Sequence, residues 1–248
     1  MQSTIDLNAD VGEGFATDAA LLPYITSASI ACGAHAGSRA IFMQTAAACR
    51  QYGVAIGAHP GFEDKANFGR LPQPWDPIKI YDLLMPQLEL AATCCEAIGA
   101  TLVYVKPHGA LYNMSAADAS LANCIAKVIY GFNPKLVLVG LSGSHAVMQA
   151  NAVGLKVARE AFADRAYMSN GSLAPRNQPG AVLNNEKKVA KQLVGLVAEK
   201  KAFTITGEPI PVTADTICLH GDGPHAVKFA QFIHQTLAQH GIGLKAFQ

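Results

Sequence analysis

Seven short apolar runs, spread along nearly the whole chain and each followed by polar residues, restrict the possible folds more than any other feature. They lie at residues 4–7, 28–31, 54–57, 101–105, 136–140, 155–158 and 216–219. Most lack polar alternation, as expected of parallel strands covered on both faces. Between them, apolar residues recur at helical spacing. Residues 38–52 carry Phe42, Ala46 and Cys49 on one face, and 77–98 carry Leu84, Leu88, Ala91 and Cys95, with Pro86 expected to kink the start. Further helices are expected at 116–130, 144–151, 185–200 and 225–240. Strand alternating with helix from end to end describes α/β architecture with a parallel sheet. For 248 residues the expectation is one domain, 1–248, folded as a seven-stranded parallel (β/α) barrel of TIM-like form. Residues 203–213 break the rhythm and read as a small hairpin insertion turning at Gly207-Glu208.

Composition removes several function classes. Half of the residues are apolar and only 15% are charged, so a large core is available and disorder is not expected. A net charge of +1 without a basic stripe argues against a nucleic-acid partner. No apolar run approaches the ~18 residues of a membrane span. The start MQSTIDLNAD lacks the basic and apolar stretches of an export signal. The six cysteines (Cys32, Cys49, Cys94, Cys95, Cys124 and Cys218) form no CxxC pair, which suits free thiols in a reducing cytoplasm.

In parallel α/β folds, chemistry gathers at the carboxyl ends of the strands. Read that way, the first run leads to Asn8, Asp10 and Glu13, the second to Cys32 and His35, and the third to His59. The fourth leads into KPHGALYN, with Lys106 and His108, and the fifth to Ser142 and Ser144. The sixth leads to Glu160 and Arg165, and the last to His220 and Asp222. A barrel would bring Asp10, His35, His59, Lys106, His108 and His220 to one rim. A carboxylate among glycines suits a general base or a cation ligand. Two imidazoles with that carboxylate could bind a divalent metal, although no HExxH is present. Lys106 could neutralise an anion, and His108 could move a proton. Arg165 could clamp a carboxylate. The Gly221-Asp222-Gly223 turn before the last helix could hold an anion. GxSxG, GxGxxG and Walker A patterns are all absent.

The motifs IDLNADVGEGF, SIACGAHAG, IGAHPGF, FGR, VKPHGALYN, EAFADRAY, QPGAV and ADTICLHGDGP occur in this order. Together they closely resemble the LamB/YcsF family over nearly the whole chain. The resemblance implies a barrel similar to those of the glycoside hydrolase/deacetylase superfamily. It also implies the role of the A subunit in an ATP-dependent 5-oxoprolinase, with partner subunits B and C. The implied reaction opens the lactam of 5-oxo-L-proline to L-glutamate, coupled to hydrolysis of ATP to ADP and phosphate. A divalent cation such as Mg²⁺ could accompany the ATP. Ala34 stands where the family usually has an aromatic, Ser38-Arg39 replaces Asp-Pro, and Phe62 replaces Tyr. These changes bear on pocket shape.

In the expected scheme, phosphorylation of the lactam oxygen removes amide resonance, and water then opens the ring. Asp10 or a histidine would act as base, and His108 or His220 would protonate the leaving nitrogen. Lys106 and Gly221-Asp222-Gly223 would hold phosphate, and Arg165 or Lys106 the substrate carboxylate. Two rivals stand beside it. One is a metal-dependent deacetylase or amidohydrolase with Zn²⁺ on Asp10, His35 and His59. The other is a non-catalytic protein that delivers substrate to another chain.

Overall fold

A computed structural model describes residues 4–183, 185–219 and 226–247. In chain order the elements are β1 (Thr4–Val11), α1 (Asp18–Leu21), β2 (Ser27–Ala31), α2 (Arg39–Tyr52), β3 (Ala55–His59) and α3 (Pro77–Ala97). They continue with β4 (Leu102–Val105), α4 (Gly109–Ala117), α5 (Ala119–Phe132), β5 (Val137–Leu141), α6 (His145–Val153) and β6 (Lys156–Phe162). The last are α7 (Glu186–Ala198), β7 (Lys201–Phe203), β8 (Pro209–Pro211), β9 (Thr216–Leu219), α8 (Ala226–Gln239) and β10 (Gly243–Leu244). Strands β1 to β6 pair in sequence order, β6 pairs with β9, and β9 returns to β1. Every one of these pairings is parallel, so seven strands close a barrel, as the sequence led one to expect. β10 adds a short parallel pairing to the start of β1.

The helices lie outside, each burying an apolar stripe. In α5 the stripe is Leu121, Ile125, Val128 and Ile129, and a fully buried Leu or Ile contributes ~1.5–3 kcal/mol. Starts are set by side chains that accept from the first free N–H groups: Asp76 for α3, Asp118 for α5 and Asn185 for α7. Asp118 corrects one expectation. The helix expected at 116–130 is two helices, and α4 begins inside KPHGALYN at Gly109. α3 runs continuously through Pro86. β7 and β8 form the expected antiparallel hairpin.

The barrel interior departs from the apolar expectation. Asp6, Asn8 and Asp10 alternate along β1 with Leu7, Ala9 and Val11, and strand alternation sends the two sets to opposite faces. Asp6 accepts from Ser27 Oγ (2.6 Å), Thr26 Oγ1 (2.7 Å) and Thr216 Oγ1, which ties β1, β2 and β9 together across the inside. Tyr104 fills part of the interior, with its hydroxyl 3.1 Å from Ser29 Oγ and Phe247 packed on its ring. Gly57 makes room for it, since a Cβ there would lie 2.2 Å from the Tyr104 ring. The β3–β4 register shifts at that point.

Candidate active site at the barrel mouth

Two adjoining clusters of ionisable groups occupy the carboxyl ends of the strands. The deeper one centres on Lys106, directly after β4. Its ammonium donates to Asp10 Oδ1 (2.8 Å), Asn8 Oδ1 (3.2 Å) and Cys218 Sγ (3.2 Å), and lies 2.7 Å from Glu160 Oε1. Asn8 Nδ2 donates to the same Glu160 oxygen (3.0 Å) and to Thr216 (2.7 Å). Burial alone would lower the Lys106 pKa, but Asp10, Cys218 and Glu160 reverse this and keep it well above the ordinary value. Burial alone would raise Asp10, yet His59 and Lys106 hold it well below the usual carboxylate range. Asp10 is thus an ionised carboxylate with one oxygen fixed by Lys106.

The second cluster is Glu13, His35, His59 and His108. His59 Nδ1 lies 2.7 Å from the Lys106 carbonyl, and His108 Nε2 lies 2.8 Å from the Phe68 carbonyl. A carbonyl only accepts, so both nitrogens carry protons. In the neutral rings His59 Nε2 and His108 Nδ1 are therefore lone pairs, and they face each other at 3.0 Å. Glu13 Oε1 lies 3.3 Å from His35 Nε2, 3.5 Å from His108 Nδ1 and 4.0 Å from His59 Nε2. His35 stacks flat on His108, with centroids 3.7 Å apart. Burial pushes His35 down to about 2 and His108 down to about 3, each reinforced by a neighbouring imidazole. Burial raises Glu13 to about 7 against the opposing pull of His59. Burial also lowers His59, but the adjacent Asp10 carboxylate overrides this and raises it.

Three loops fix this cluster. Asp18 accepts from the Gly12 N–H (2.9 Å), which folds the glycine loop after β1 and turns Glu13 toward the histidines. Gln87 of α3 accepts from the Gly61 N–H (3.1 Å) and donates to its carbonyl (3.0 Å), pinning the loop after His59. Phe68 adopts a left-handed backbone (φ 56°), unusual for a bulky residue, and this presents its carbonyl to His108 while its ring packs on His35 and His108. Gly61 and Gly69 allow the close approach. A Cβ would lie 2.8 Å from His35 Nδ1 at Gly61, and 2.8 Å from His35 Cβ at Gly69.

Beside both clusters lies a small pocket of about 110 Å³, lined by Asp10, Glu13, His59, Lys106 and His108 together with Arg70, Arg165 and Arg176. Through Asn113, Arg165, Leu173 and Arg176 it adjoins a wider cleft of about 900 Å³ that also borders Ser142, Ser144 and His145. Arg165 is buried; its Nη2 donates to the Ala174 carbonyl (2.5 Å), and its Nε has no partner among the described residues. Burial, then the Arg176 charge, lowers its pKa. A buried and an exposed guanidinium beside each other make a place for an anion.

Of the residues singled out from sequence, Asp10, His35, His59, Lys106 and His108 converge here, with Arg165 lining the same pocket. His220, Gly221, Asp222 and Gly223 lie outside the described residues. Two expected roles meet a geometric obstacle. Lys106 directs its donors to Asp10, Glu160, Asn8 and Cys218, and the neutral His108 has no N–H directed into the pocket. Glu13, Glu160, Asn8 and Arg176 complete the site although the sequence reading gave them no role in the chemistry. Asn8 and Glu160 sit inside longer strands than expected, β1 and β6.

The LamB/YcsF family model matches residues 5–248. A curated relative from Geobacillus thermodenitrificans, named as the A subunit of 5-oxoprolinase, is 43% identical over 99% of this chain and 97% of its own length. The crystal structure of a lactam utilization protein from Thermus thermophilus superposes with a TM-score of 0.93 at 36% identity, covering 98% of this chain and all of that one. A family 4 carbohydrate esterase from Streptomyces lividans shares the barrel alone, with a TM-score of 0.54 at 12% identity over 99% of this chain and 93% of that one.

Proposed function

The chain belongs to the LamB/YcsF family, and we propose that it serves as the A subunit of a 5-oxoprolinase, opening the lactam of 5-oxo-L-proline to L-glutamate in step with hydrolysis of ATP to ADP and phosphate. The observation that carries this reading is the pocket's mixed lining. It combines an ionised carboxylate and histidines with the guanidinium groups of Arg70, Arg165 and Arg176. A small ring with one carboxylate and one amide, laid across it, has its carboxylate on Arg165 and Arg176 and its amide carbon toward Asp10.

An unstrained five-membered amide resists water because attack destroys its resonance and nitrogen leaves poorly. Phosphorylation of the lactam oxygen, with subunits B and C as the partners, removes the first obstacle. This barrel then admits water. Asp10 takes the proton from that water and returns one to the departing ring nitrogen; cleavage of the C–N bond leaves the acyl phosphate of glutamate, which a second water hydrolyses to glutamate and phosphate. Lys106 holds Asp10 ionised and aimed, so it is a positioning residue rather than the phosphate clamp. Arg165 replaces it as the anion partner. The wider cleft beside Ser142 and Ser144 leaves room for the added phosphoryl group.

The test is reconstitution. This chain is assayed for glutamate release with and without subunits B and C, and with and without ATP. Release that needs ATP and the partners supports the reading. Release by this chain alone without ATP favours a simple amidohydrolase. Asp10→Asn in the assembled enzyme is expected to lose ~10²–10⁴-fold in rate, the usual effect of removing a general base. Near-normal turnover in that variant would leave this chain the role of delivering substrate to chemistry elsewhere.

A further inference from the structure

We infer that Glu13, His35, His59 and His108 form a binding site for a single divalent transition-metal ion of the zinc type. The argument is a count of protons and lone pairs. The protons on His59 Nδ1 and His108 Nε2 are committed to the Lys106 and Phe68 carbonyls. With both rings neutral, each turns a bare lone pair toward the other at 3.0 Å, a conflict that either a proton on His59 beside Asp10 or a bound cation resolves. Glu13 Oε1, within 4.0 Å of both and of His35 Nε2, adds a third acceptor. His35 is 1% exposed; its Nε2 lies 3.3 Å from Glu13 Oε1, and its Nδ1 has no partner among the described residues. A shared proton can reconcile only two of these groups, whereas one cation can take lone pairs from His59, His108 and Glu13 together, and from His35 once its ring turns out of the stack on His108.

The spacing agrees. The four ligand atoms lie within 4.8 Å of one another, and their measured contacts run from 3.0 to 4.0 Å. Ligand distances of about 2.0–2.1 Å would place neighbouring corners of a tetrahedron about 3.3 Å apart. Carbonyl groups on the far ring nitrogens of two ligands fix the tautomers that bind, an arrangement that recurs around metal-ligating histidines. Three imidazoles and one carboxylate favour zinc or its first-row neighbours. Magnesium and calcium prefer oxygen donors. The ligand set also differs from the one expected from sequence. Asp10 gives Oδ1 to Lys106 and keeps Oδ2 3.5 Å from His59 Nε2, beside the set, while Glu13 and His108 join His35 and His59 within it.

An ion held there borders the same small pocket as Asp10. Its role would be to polarise the lactam oxygen or to lower the pKa of water. That role rests on the lactam reading, but binding of the ion does not. The test uses the full-length protein, treated with chelator, dialysed, and titrated with Zn²⁺, Co²⁺ and Mg²⁺. Metal content is measured by mass spectrometry, cobalt absorption reports the geometry, and a thermal shift reports stabilisation. Uptake of one Zn²⁺ or Co²⁺ per chain is expected, with a tetrahedral cobalt spectrum and a raised melting temperature, and no response to Mg²⁺. Glu13→Gln and His108→Asn should lose uptake, while Arg165→Ala should keep it. If a variant fails to fold, the cobalt spectrum of the wild type still decides. No stoichiometric uptake, preference for Mg²⁺, or unchanged uptake in both ligand variants would overturn the assignment. Uptake with no effect of metal removal on ring opening would refute the catalytic role and leave the site.

Discussion

The two clusters at the barrel mouth lie side by side and are built on opposite terms. Around Lys106, one cation meets two carboxylates and its donors all reach acceptors within 3.2 Å, with Glu160 Oε2 left without a partner among the described residues. Around Glu13, three imidazoles and a carboxyl present more lone pairs than protons, and one buried ring nitrogen has no partner among the described residues. The difference teaches how to read buried polarity. A network in which every donor of the central cation finds an acceptor holds the fold together and aims a group, here Asp10. A network that mismatches is tolerated where something else is meant to complete it.

Comparable substitutions in the two clusters should therefore behave differently. The largest effect is expected from Lys106→Met, which leaves Asp10 and Glu160 as buried carboxylates without their cation. Breaking a buried pair in this way costs ~3–5 kcal/mol, measurable by urea unfolding. A loss below about 1 kcal/mol would mean that the Lys106 network contributes little to stability. Gly69→Ala comes next. Its backbone is left-handed (φ 62°) and the new Cβ would press on His35, so a loss of roughly 1–3 kcal/mol is expected, with weakened metal uptake. Glu13→Gln in metal-free protein should fall within about 1 kcal/mol of the wild type or exceed it, because it removes a buried charge from a mismatched cluster. A clear loss in that same urea experiment would erase the contrast between the two clusters.

The smallest effect concerns Asp6, deeper in the barrel. Burial raises its carboxyl above the ordinary value, partly offset by hydrogen bonds from Ser27, Thr216 and Thr26. A raised folded pKa means that the contribution of Asp6 is fully present below its unfolded value of about 3.9 and is lost as pH rises through the folded one. The stability difference between wild type and Asp6→Asn should therefore shift against the wild type as pH rises from about 4. A difference independent of pH would show that Asp6 titrates as it does in the unfolded chain.

How much of this was legible in the sequence depends on distance along the chain. The barrel was legible because each strand is a local run and each helix a local stripe. The split between α4 and α5 was missed because Asp118 reads equally well as a residue within one long helix or as the cap that starts a second. The polar interior was missed although its sign was present: Asp6, Asn8 and Asp10 fall on every second residue of β1, with Ser27 and Ser29 beside them on β2. Apolar strands were expected because most of the runs lack polar alternation, as parallel strands covered on both faces do. Asp10, His35, His59, Lys106 and His108 were found because each follows or closes a strand. Glu13 sits in a glycine loop whose path depends on Asp18. Arg176 lies in the non-periodic stretch between β6 and α7, placed by isolated bridges such as Arg165 with Val182 and Tyr167 with Leu173. The end of the first run did place Glu13 at the rim, but not its turn toward the histidines, and Arg176 had no local pattern to place it.

The most direct test is a crystal structure of the metal-loaded protein soaked with 5-oxo-L-proline. The substrate carboxylate should lie on Arg165 and Arg176, and the lactam carbon should face Asp10 and the histidine cluster. A ring bound away from this pocket, or reversed so that its carboxylate meets the histidines, would contradict the proposed placement of the substrate.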